Sequence, residues 1–217
     1  MKAPTAEALL LPGPAGMLEA VIESPQTAGP PTAFMVVCHP HPQHAGTMHN
    51  KVVTTLARTA HALGAPTIRF NFRGVGASAG TFDDGRGETD DALAAVAAGR
   101  QRWPGAALWL AGFSFGGIIA LRASVRGEAG KVQRLVTIAP ALGRAFADPA
   151  DIALPSCPWL IVQGDADEVI DGQLVIAWAG RLAPPPRLAV LAGVGHYFHG
   201  NLAAVQKVVS PFLQAAT

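Results

Sequence analysis

The 217-residue sequence is short of charged residues and of long apolar runs, and each shortage excludes a class of protein. Only 14% of its residues are Asp, Glu, Lys or Arg, the formal net charge is +1, and no run of lysine or arginine occurs. Nucleic acids and anionic membranes bind clustered positive charge, so neither is an expected partner. No stretch approaches the roughly 18 apolar residues that cross a membrane. A small neutral ligand fits this composition better.

Cysteine is also scarce. Cys38 and Cys157 are too few for a disulfide framework, and both lie beside apolar, strand-like sequence, as buried reduced thiols do. The opening residues MKAPTAEALLLPGPAG hold one lysine and a short apolar run that Pro12 and Gly13 interrupt, which is too little for a signal-peptide core. We therefore predict a cytoplasmic protein.

What the sequence does have is apolar residues, which make up 50% of it. The length suits one hydrophobic core, and no repeat or linker divides the chain, so we predict a single domain over residues 1–217. Several apolar runs have the length of a strand, and their continuous hydrophobicity is typical of parallel strands buried on both faces. These runs are AFMVVC (33–38), ALWLAGF (107–113), RLVTIAP (134–140), WLIVQG (159–164) and RLAVLAG (187–193). PTIRFNFRG (66–74) predicts a further strand, and AGMLEAVIES (15–24) an antiparallel entry strand.

Helical patterns fall between the apolar runs, and Gly-Ala-Pro or Trp-Pro-Gly ends two of them. The predicted helices cover residues 50–64, 86–103, 115–127, 173–183 and 201–213. Alternation of strand and helix predicts an α/β class: a doubly wound, mostly parallel sheet with helices on both faces. In such folds the ligand crevice opens at the carboxyl ends of the strands.

Residues that directly follow the apolar runs meet at that crevice. The run 107–113 leads into GFSFGG (112–117), a G-x-S-x-G motif between a predicted strand and a predicted helix. In this setting the small residues permit a tight turn that exposes the Ser114 hydroxyl, and the helix N-terminus points at it. Ser114 is therefore a candidate nucleophile, although the same letters also occur in ordinary glycine-rich loops.

Acidic residues follow the next strand, in GDADEVID (164–171). They do not form a calcium loop, because Val169 stands where the third ligand of D-x-D-x-D-G should be. A carboxylate here is better suited to orienting a histidine.

Two histidines, His196 and His199, follow the last apolar run in GVGHYFHG (193–200). A serine hydroxyl needs an imidazole as its base, and that imidazole needs a carboxylate to fix its tautomer and stabilise its cation. Ser114, Asp167 and His196 meet this requirement in chain order.

In that order, GFSFGG, GDADEVI and GVGHYFHG resemble the α/β-hydrolase superfamily over essentially the whole chain. HPHPQHAGTMHNKVV and RFNFRGVGASAG are further similar to small bacterial serine hydrolases that lack a lid. The resemblance implies the α/β-hydrolase fold, no lid domain, a Ser-His-Asp triad and no cofactor or metal. It also implies that Asp167, in the pattern G-x-x-D-x-V, is the triad member rather than Asp165. His196 matches the G-x-G-H stretch, which leaves His199 a structural or rim residue.

The superfamily's H-G-x loop supplies one backbone amide of the oxyanion hole after the first buried strand. Here HP replaces HG, and neither Pro40 nor Pro42 has an N–H to donate. The resemblance then implies the amide of His41 as one donor and the amide of Phe115, directly after the serine, as the other.

Several side chains near these positions are expected to line the pocket or its rim. They are His39, His44, Phe115 and Tyr197.

Two other interpretations of these sequence motifs are possible. His39, His41 and His44 are close enough in sequence for a non-catalytic or metal-binding protein that uses this loop, although the prolines do not make the rings converge. The glycines of RFNFRGVGASAG miss the dinucleotide-binding spacing by one residue. The resemblance implies instead a structural turn beside the site, and we expect Arg73 to be buried and paired.

Where the superfamily has a lid, it usually follows the sixth strand. The segment between the predicted strands 134–140 and 159–164 is too short for a capping domain. An open cleft suits small or short-chain acyl esters as substrates. Thioesters, amides and peptides are cleaved by the same machinery, so a thioesterase or an amidase or peptidase remains an alternative.

Overall fold

The computed structural model describes residues 4–143 and 146–215, and an eight-stranded sheet with five helices runs through them. The strands are β1 (Thr5–Gly13), β2 (Gly16–Ser24), β3 (Ala33–Cys38), β4 (Thr67–Phe70), β5 (Ala107–Phe113), β6 (Val132–Ile138), β7 (Trp159–Gly164) and β8 (Arg187–Leu191). The helices are α1 (Lys51–Ala62), α2 (Arg86–Arg102), α3 (Phe115–Ser124), α4 (Gly172–Ala179) and α5 (Leu202–Gln214). No helix in the described ranges is long and apolar enough to cross a bilayer.

The sheet has the order β1-β2-β4-β3-β5-β6-β7-β8. The pairs β1–β2 and β2–β4 are antiparallel, and every other neighbouring pair is parallel. The chain passes from β3 to β4 on one side and then returns to β5 on the other side of β3. Parallel strands that diverge in this way leave a crevice at their carboxyl ends, so the fold places its ligand crevice at the ends of β3 and β5.

Each buried strand feeds two hydrophobic cores, one on each face of the sheet. In β3, Phe34, Val36 and Cys38 point into the core beneath α2, α3 and α4, whereas Met35 and Val37 point into the core beneath α1 and α5. Because successive side chains of a strand alternate between faces, a strand covered on both sides must be apolar throughout. This is the physical reason for the continuous apolar runs, and the predicted fold class is confirmed.

Polar caps fix where the helices begin. The side chain of Asn50 accepts the Val52 N–H at 2.8 Å at the start of α1, and the Asp171 carboxylate accepts the Leu174 N–H at 3.1 Å at the start of α4. Such caps satisfy backbone donors that lack a partner in the first helical turn. The α1 and α4 helices therefore begin directly after the loops that follow β3 and β7.

The structure differs from the sequence-based predictions at the N-terminal edge. The segment Thr5–Gly13 forms the hairpin strand β1, which no apolar pattern predicted because most of its side chains are exposed. Both cysteines are free, but only Cys38 is buried, since Cys157 is half-buried.

Candidate active site

The turn between β5 and α3 holds Ser114 in a left-handed backbone conformation, with φ 55° and ψ −118°. A non-glycine residue adopts such a conformation only where its surroundings enforce it. The surroundings are two glycines: a Cβ on Gly112 would overlap the Gly116 carbonyl oxygen, and a Cβ on Gly116 would overlap the carbonyl oxygens of Cys38 and His39. The G-x-S-x-G spacing thus lets the turn close tightly and pack against the end of β3.

Ser114 meets a histidine and an aspartate from the loops after β8 and β7. His196 Nδ1 lies 2.9 Å from Asp167 Oδ2, and His196 Nε2 lies 3.1 Å from Ser114 Oγ. An ionised carboxylate only accepts hydrogen bonds, so Nδ1 carries the proton and Nε2 is left to accept from the serine hydroxyl. Ser114 and His196 are 7% and 3% exposed, which removes most water from these hydrogen bonds. The structure therefore brings together all three residues of the predicted triad, while their catalytic roles stay predictions.

Four donors hold the Asp167 carboxylate. Oδ1 accepts the N–H groups of Val169 (3.0 Å) and Ile170 (2.8 Å), and Oδ2 accepts from His196 Nδ1 and from Gln163 Nε2 (3.0 Å). Burial opposes ionisation of this carboxylate, but the hydrogen bonds from His196, Ile170 and Val169 outweigh it and hold the pKa of Asp167 below its usual value. The carboxylate is thus ionised at neutral pH and oriented toward His196.

The other acidic residues of the same loop have separate structural roles. Asp165 accepts the Gly193 N–H at 2.7 Å, and Glu168 accepts the His196 N–H at 3.1 Å. These two bonds join the loop after β7 to the loop after β8. Gly195 leaves the space for Glu168, because a Cβ there would lie 2.6 Å from Glu168 Oε2. The geometry therefore distinguishes Asp167 from Asp165, as the resemblance implied.

Gln163 lies beside Asp167 and was not singled out from the sequence. Its side chain is fully buried, and its carbonyl oxygen Oε1 has no hydrogen-bond partner in the described part of the chain. An unpaired buried carbonyl costs roughly 1–3 kcal/mol. A signal for this residue existed, because it is a polar residue inside the continuous apolar run WLIVQG. No comparable signal separated Glu168 from the acidic residues around it.

The loop after β3 packs against the residue that follows Ser114. The rings of His41 and Phe115 lie 4.9 Å apart, so the two residues that carry the expected amide donors are in contact. Within the described residues, neither the His41 N–H nor the Phe115 N–H donates a hydrogen bond. Both amides are therefore available to an oxyanion. The His41 ring accepts the Gln43 N–H at 3.3 Å and so caps the short 3₁₀ turn Pro42–His44.

His39 does not line the pocket, contrary to the expectation from the sequence. It is 0% exposed, and its Nε2 lies 3.0 Å from the Phe72 nitrogen while Nδ1 lies 2.6 Å from the Pro40 oxygen. A backbone N–H can only donate, so Nε2 accepts from Phe72, and Nδ1 carries the proton and donates to Pro40. The ring therefore ties the loop after β3 to the segment after β4, and both nitrogens are used by backbone groups.

The other expected lining residues differ in position. Phe115 is 0% exposed and packs against Phe72, Phe82 and Phe146, so its ring does not line open space either. His44 is exposed and stacks on the His41 ring, with centroids 4.6 Å apart. Tyr197 is 51% exposed and contacts the His196 ring edge-on at 5.3 Å.

Tyr197 also borders a cavity of about 280 Å³. Its wall is formed by the N-terminal turn of α1, the preceding loop and His199. The larger clefts of about 570 and 580 Å³ are lined by other segments and do not include Ser114 or His196. The lining of the small cavity does not include Ser114 or His196 either, but Tyr197 contacts the His196 ring, so this cavity is the better candidate for contact with a ligand at Ser114.

In the glycine-rich turn, Arg73 is paired with the fully buried Asp91, with Nη2 2.8 Å from Oδ1, and donates to the Gly87 carbonyl. The predicted pairing of Arg73 is confirmed, whereas Arg73 itself is half-buried rather than buried. Across residues 4–143 and 146–215, no three His, Cys, Asp or Glu side chains are grouped to hold a metal ion.

Comparisons with known proteins show the family and the fold of this chain. The model of the family described as serine aminopeptidase, S33, matches residues 29–155. An α/β serine hydrolase without lid from Xanthomonas campestris is 41% identical, with a TM-score of 0.87 over 98% of this chain and 97% of that one. An α/β serine hydrolase homologue from Coxiella burnetii is 40% identical, with a TM-score of 0.86 over 95% of this chain and 97% of that one. An uncharacterized protein of Rickettsia prowazekii is 31% identical over 93% of this chain and 86% of its own length.

His39 makes the stability of the fold depend on pH. Burial lowers the pKa of His39 from 6.5 to about 4. As the pH falls, His39 in the unfolded chain therefore binds a proton at a higher pH than His39 in the folded protein. The free energy of unfolding consequently decreases as the pH falls from about 6.5 toward 4. Between pH 7 and pH 5 we expect the free energy of unfolding of the wild type to fall by about 2 kcal/mol more than that of His39→Gln.

Chemical denaturation at the two pH values measures this difference. His199→Gln, which replaces an exposed histidine, is the matched control and should follow the wild type. Equal losses in the wild type and His39→Gln would show that His39 is not held neutral.

Proposed function

The chain belongs to the α/β serine hydrolases of the family described as serine aminopeptidase, S33, and we propose that it cleaves small or short-chain carboxylic esters in the cytoplasm. The observation that carries the proposal is the hydrogen-bonded series from Ser114 Oγ through His196 to Asp167 Oδ2.

In the proposed reaction Ser114 Oγ attacks the ester carbonyl carbon while His196 Nε2 takes the hydroxyl proton. The tetrahedral intermediate collapses when the protonated imidazole gives that proton to the departing alcohol oxygen, which leaves an acyl-enzyme. Water then attacks the acyl carbon, with His196 again as base, and the acid is released. Asp167 stays ionised throughout and stabilises the imidazolium. Activity should therefore fall at acid pH, because a protonated base cannot accept the serine proton.

The negative charge that forms on the carbonyl oxygen needs donors, and we assign this role to the N–H groups of His41 and Phe115. Both are free of other acceptors among the described residues, and the helix α3 begins at Phe115 with its positive dipole end toward the site. By analogy with other oxyanion holes, each donor is worth roughly 3–4 kcal/mol of transition-state stabilisation.

The proposed substrate class is supported by the short connection between β6 and β7 and by the size of the cavity beside Tyr197. Over residues 139–143 and 146–158, the connection between β6 and β7 contains the 3₁₀ turn Pro149–Asp151 and no capping domain. The cavity beside Tyr197 holds about 280 Å³, close to the lower end for ligand pockets. An open site with a small cavity supports short acyl or alcohol groups over long lipid chains.

A second candidate is cleavage of amide or peptide bonds. It is favoured by the description of the matching family as serine aminopeptidases. The same triad serves ester, thioester and amide bonds, so the choice rests on the leaving group rather than on the nucleophile. A comparison of nitrophenyl esters, acyl thioesters and amino-acid anilides at equal concentration ranks the three classes.

A fluorophosphonate probe tests the nucleophile directly. We expect it to label the wild type and Ser124→Ala, a variant in the same helix, but not Ser114→Ala. Mass spectrometry of the intact protein gives the stoichiometry. A folded wild type that takes no label would point to a non-catalytic binding protein, and activity that a chelator removes would point to a metal.

His41 and His196 should differ in what they contribute. His196→Ala removes the base and is expected to lower kcat by about four to six orders of magnitude. His41→Ala keeps the backbone amide and should stay within about tenfold of the wild type. His41→Pro removes the amide itself, and since the φ of His41 is −51°, proline fits there. We expect His41→Pro to lose about 10²- to 10³-fold in kcat.

Steady-state kinetics of the three variants decide the assignment. A strong loss in His41→Ala together with an active His196→Ala would mean that the wrong histidine has been given the role of base.

The open site predicts a preference by acyl length. In a series of nitrophenyl esters from acetate to palmitate, kcat/KM should be highest for the shortest chains and decline toward the long ones. The assay is run below the micelle-forming concentration of each ester, and Ser114→Ala serves as the blank. A maximum at the long chains would contradict the proposed substrate class.

A further inference from the structure

Gln163 stands next to the last residue of β7, with its side chain fully buried beneath the loop that carries Asp167. Its Nε2 lies 3.0 Å from Asp167 Oδ2 and 3.1 Å from the Gly164 carbonyl oxygen. Both neighbours are acceptors, so the amide group must face them with its two N–H bonds. The two acceptors thus fix the direction in which the Gln163 amide group faces.

This orientation leaves the Gln163 carbonyl oxygen buried and unpaired within the described residues. An apolar side chain of the same length would avoid that cost, so local stability does not explain a glutamine here. Gly172, at the start of α4, makes room for the Gly164 carbonyl oxygen that accepts from the amide, since a Cβ there would lie 2.7 Å from that oxygen. The position is built to hold a donor against Asp167.

The two oxygens of Asp167 are held differently. Oδ1 is fixed by two backbone amides, which stay in place in any side-chain variant, whereas Oδ2 has only Gln163 besides His196. When the imidazole becomes a cation during the reaction, Oδ2 is the atom that faces it. A donor on Oδ2 prevents the carboxylate from rotating away and spreads part of its charge.

We propose that Gln163 is a positioning residue, which acts through Asp167 by holding Oδ2 toward His196 Nδ1. This inference rests on the proposed function, because it assigns Gln163 to the same Ser114, His196 and Asp167 site.

The test replaces Gln163 by methionine, which keeps the length of the side chain and removes its polar atoms. We expect kcat for a short nitrophenyl ester to fall about tenfold while KM is unchanged. Without the amide dipole the charge on Oδ2 is less compensated and favours the protonated imidazole. The acid limb of the pH–rate profile should therefore move to higher pH, by about half a unit.

Gln133→Met is the matched control. Gln133 lies at the opposite end of the neighbouring strand β6 and uses its amide only to accept from the Trp109 indole N–H at 3.0 Å. This variant should keep the kcat and the acid limb of the wild type.

Proton NMR of the uncomplexed protein gives a readout that does not require turnover. The proton on His196 Nδ1 should give a downfield resonance, identified by its absence in His196→Gln, and this resonance should shift and broaden in Gln163→Met but not in Gln133→Met. The melting temperature of Gln163→Met should equal or exceed that of the wild type.

The outcomes separate the two proposals. A folded Gln163→Met with wild-type kcat, acid limb and Nδ1 proton resonance overturns the positioning role. So does a loss of kcat that comes with a lower melting temperature and an unmoved acid limb and resonance, because that pattern is structural. A wild type that neither hydrolyses esters nor takes the fluorophosphonate overturns the proposed function, while the resonance still tests Gln163.

Discussion

The close approach of two backbones is the constraint on which the site depends. Gly116, in the first turn of α3, lies against the carbonyl oxygens that end β3, and no Cβ would fit between them. This contact forces Ser114 into its left-handed conformation and brings the amide of Phe115 beside the loop that carries His41. The nucleophile and both candidate oxyanion donors are thus positioned by main chain, which does not depend on side-chain rotamers. Precision of this kind is what electrostatic stabilisation of a transition state requires.

The second half of the site is held by carboxylates that share one short loop but not one role. Asp165 and Glu168 bind backbone amides of the loop after β8, and Asp171 caps α4. Asp167 alone faces an imidazole. Asp165 and Glu168 join the two loops that carry Asp167 and His196. The carboxylate and the imidazole therefore lie at hydrogen-bond distance in loops that are already ordered, and their hydrogen bond does not have to offset the loss of loop entropy. Three of the four acidic residues in this segment therefore form a frame around the fourth, Asp167.

Much of this could be predicted from the sequence, and the reason is physical. Strands buried on both faces must be apolar throughout, so β3, β5 and β7 matched the predicted runs, and the residues after them had to meet at one edge. Side-chain direction was harder to predict. Nothing in HPHPQH shows that His39 turns inward to bind Phe72 and Pro40 while His41 stays at the crevice, because that depends on β4, a strand distant in sequence. The strand β1 escaped prediction for a related reason: an exposed edge strand needs no apolar pattern.

His39, one of four histidines between β3 and α1, illustrates how a polar residue can serve a site without entering its chemistry. A buried imidazole with both nitrogens bonded to backbone groups is held neutral, and it fixes the direction in which the chain leaves β3. With Pro40 and Pro42 limiting the backbone on either side, the amide of His41 has few orientations left. Gln163 and His39 are thus comparable: each is a buried polar group whose partners are other parts of the site. In both cases a polar side chain is buried where an apolar one would pack more favourably. The polar side chain instead orients a neighbouring hydrogen-bond donor or acceptor.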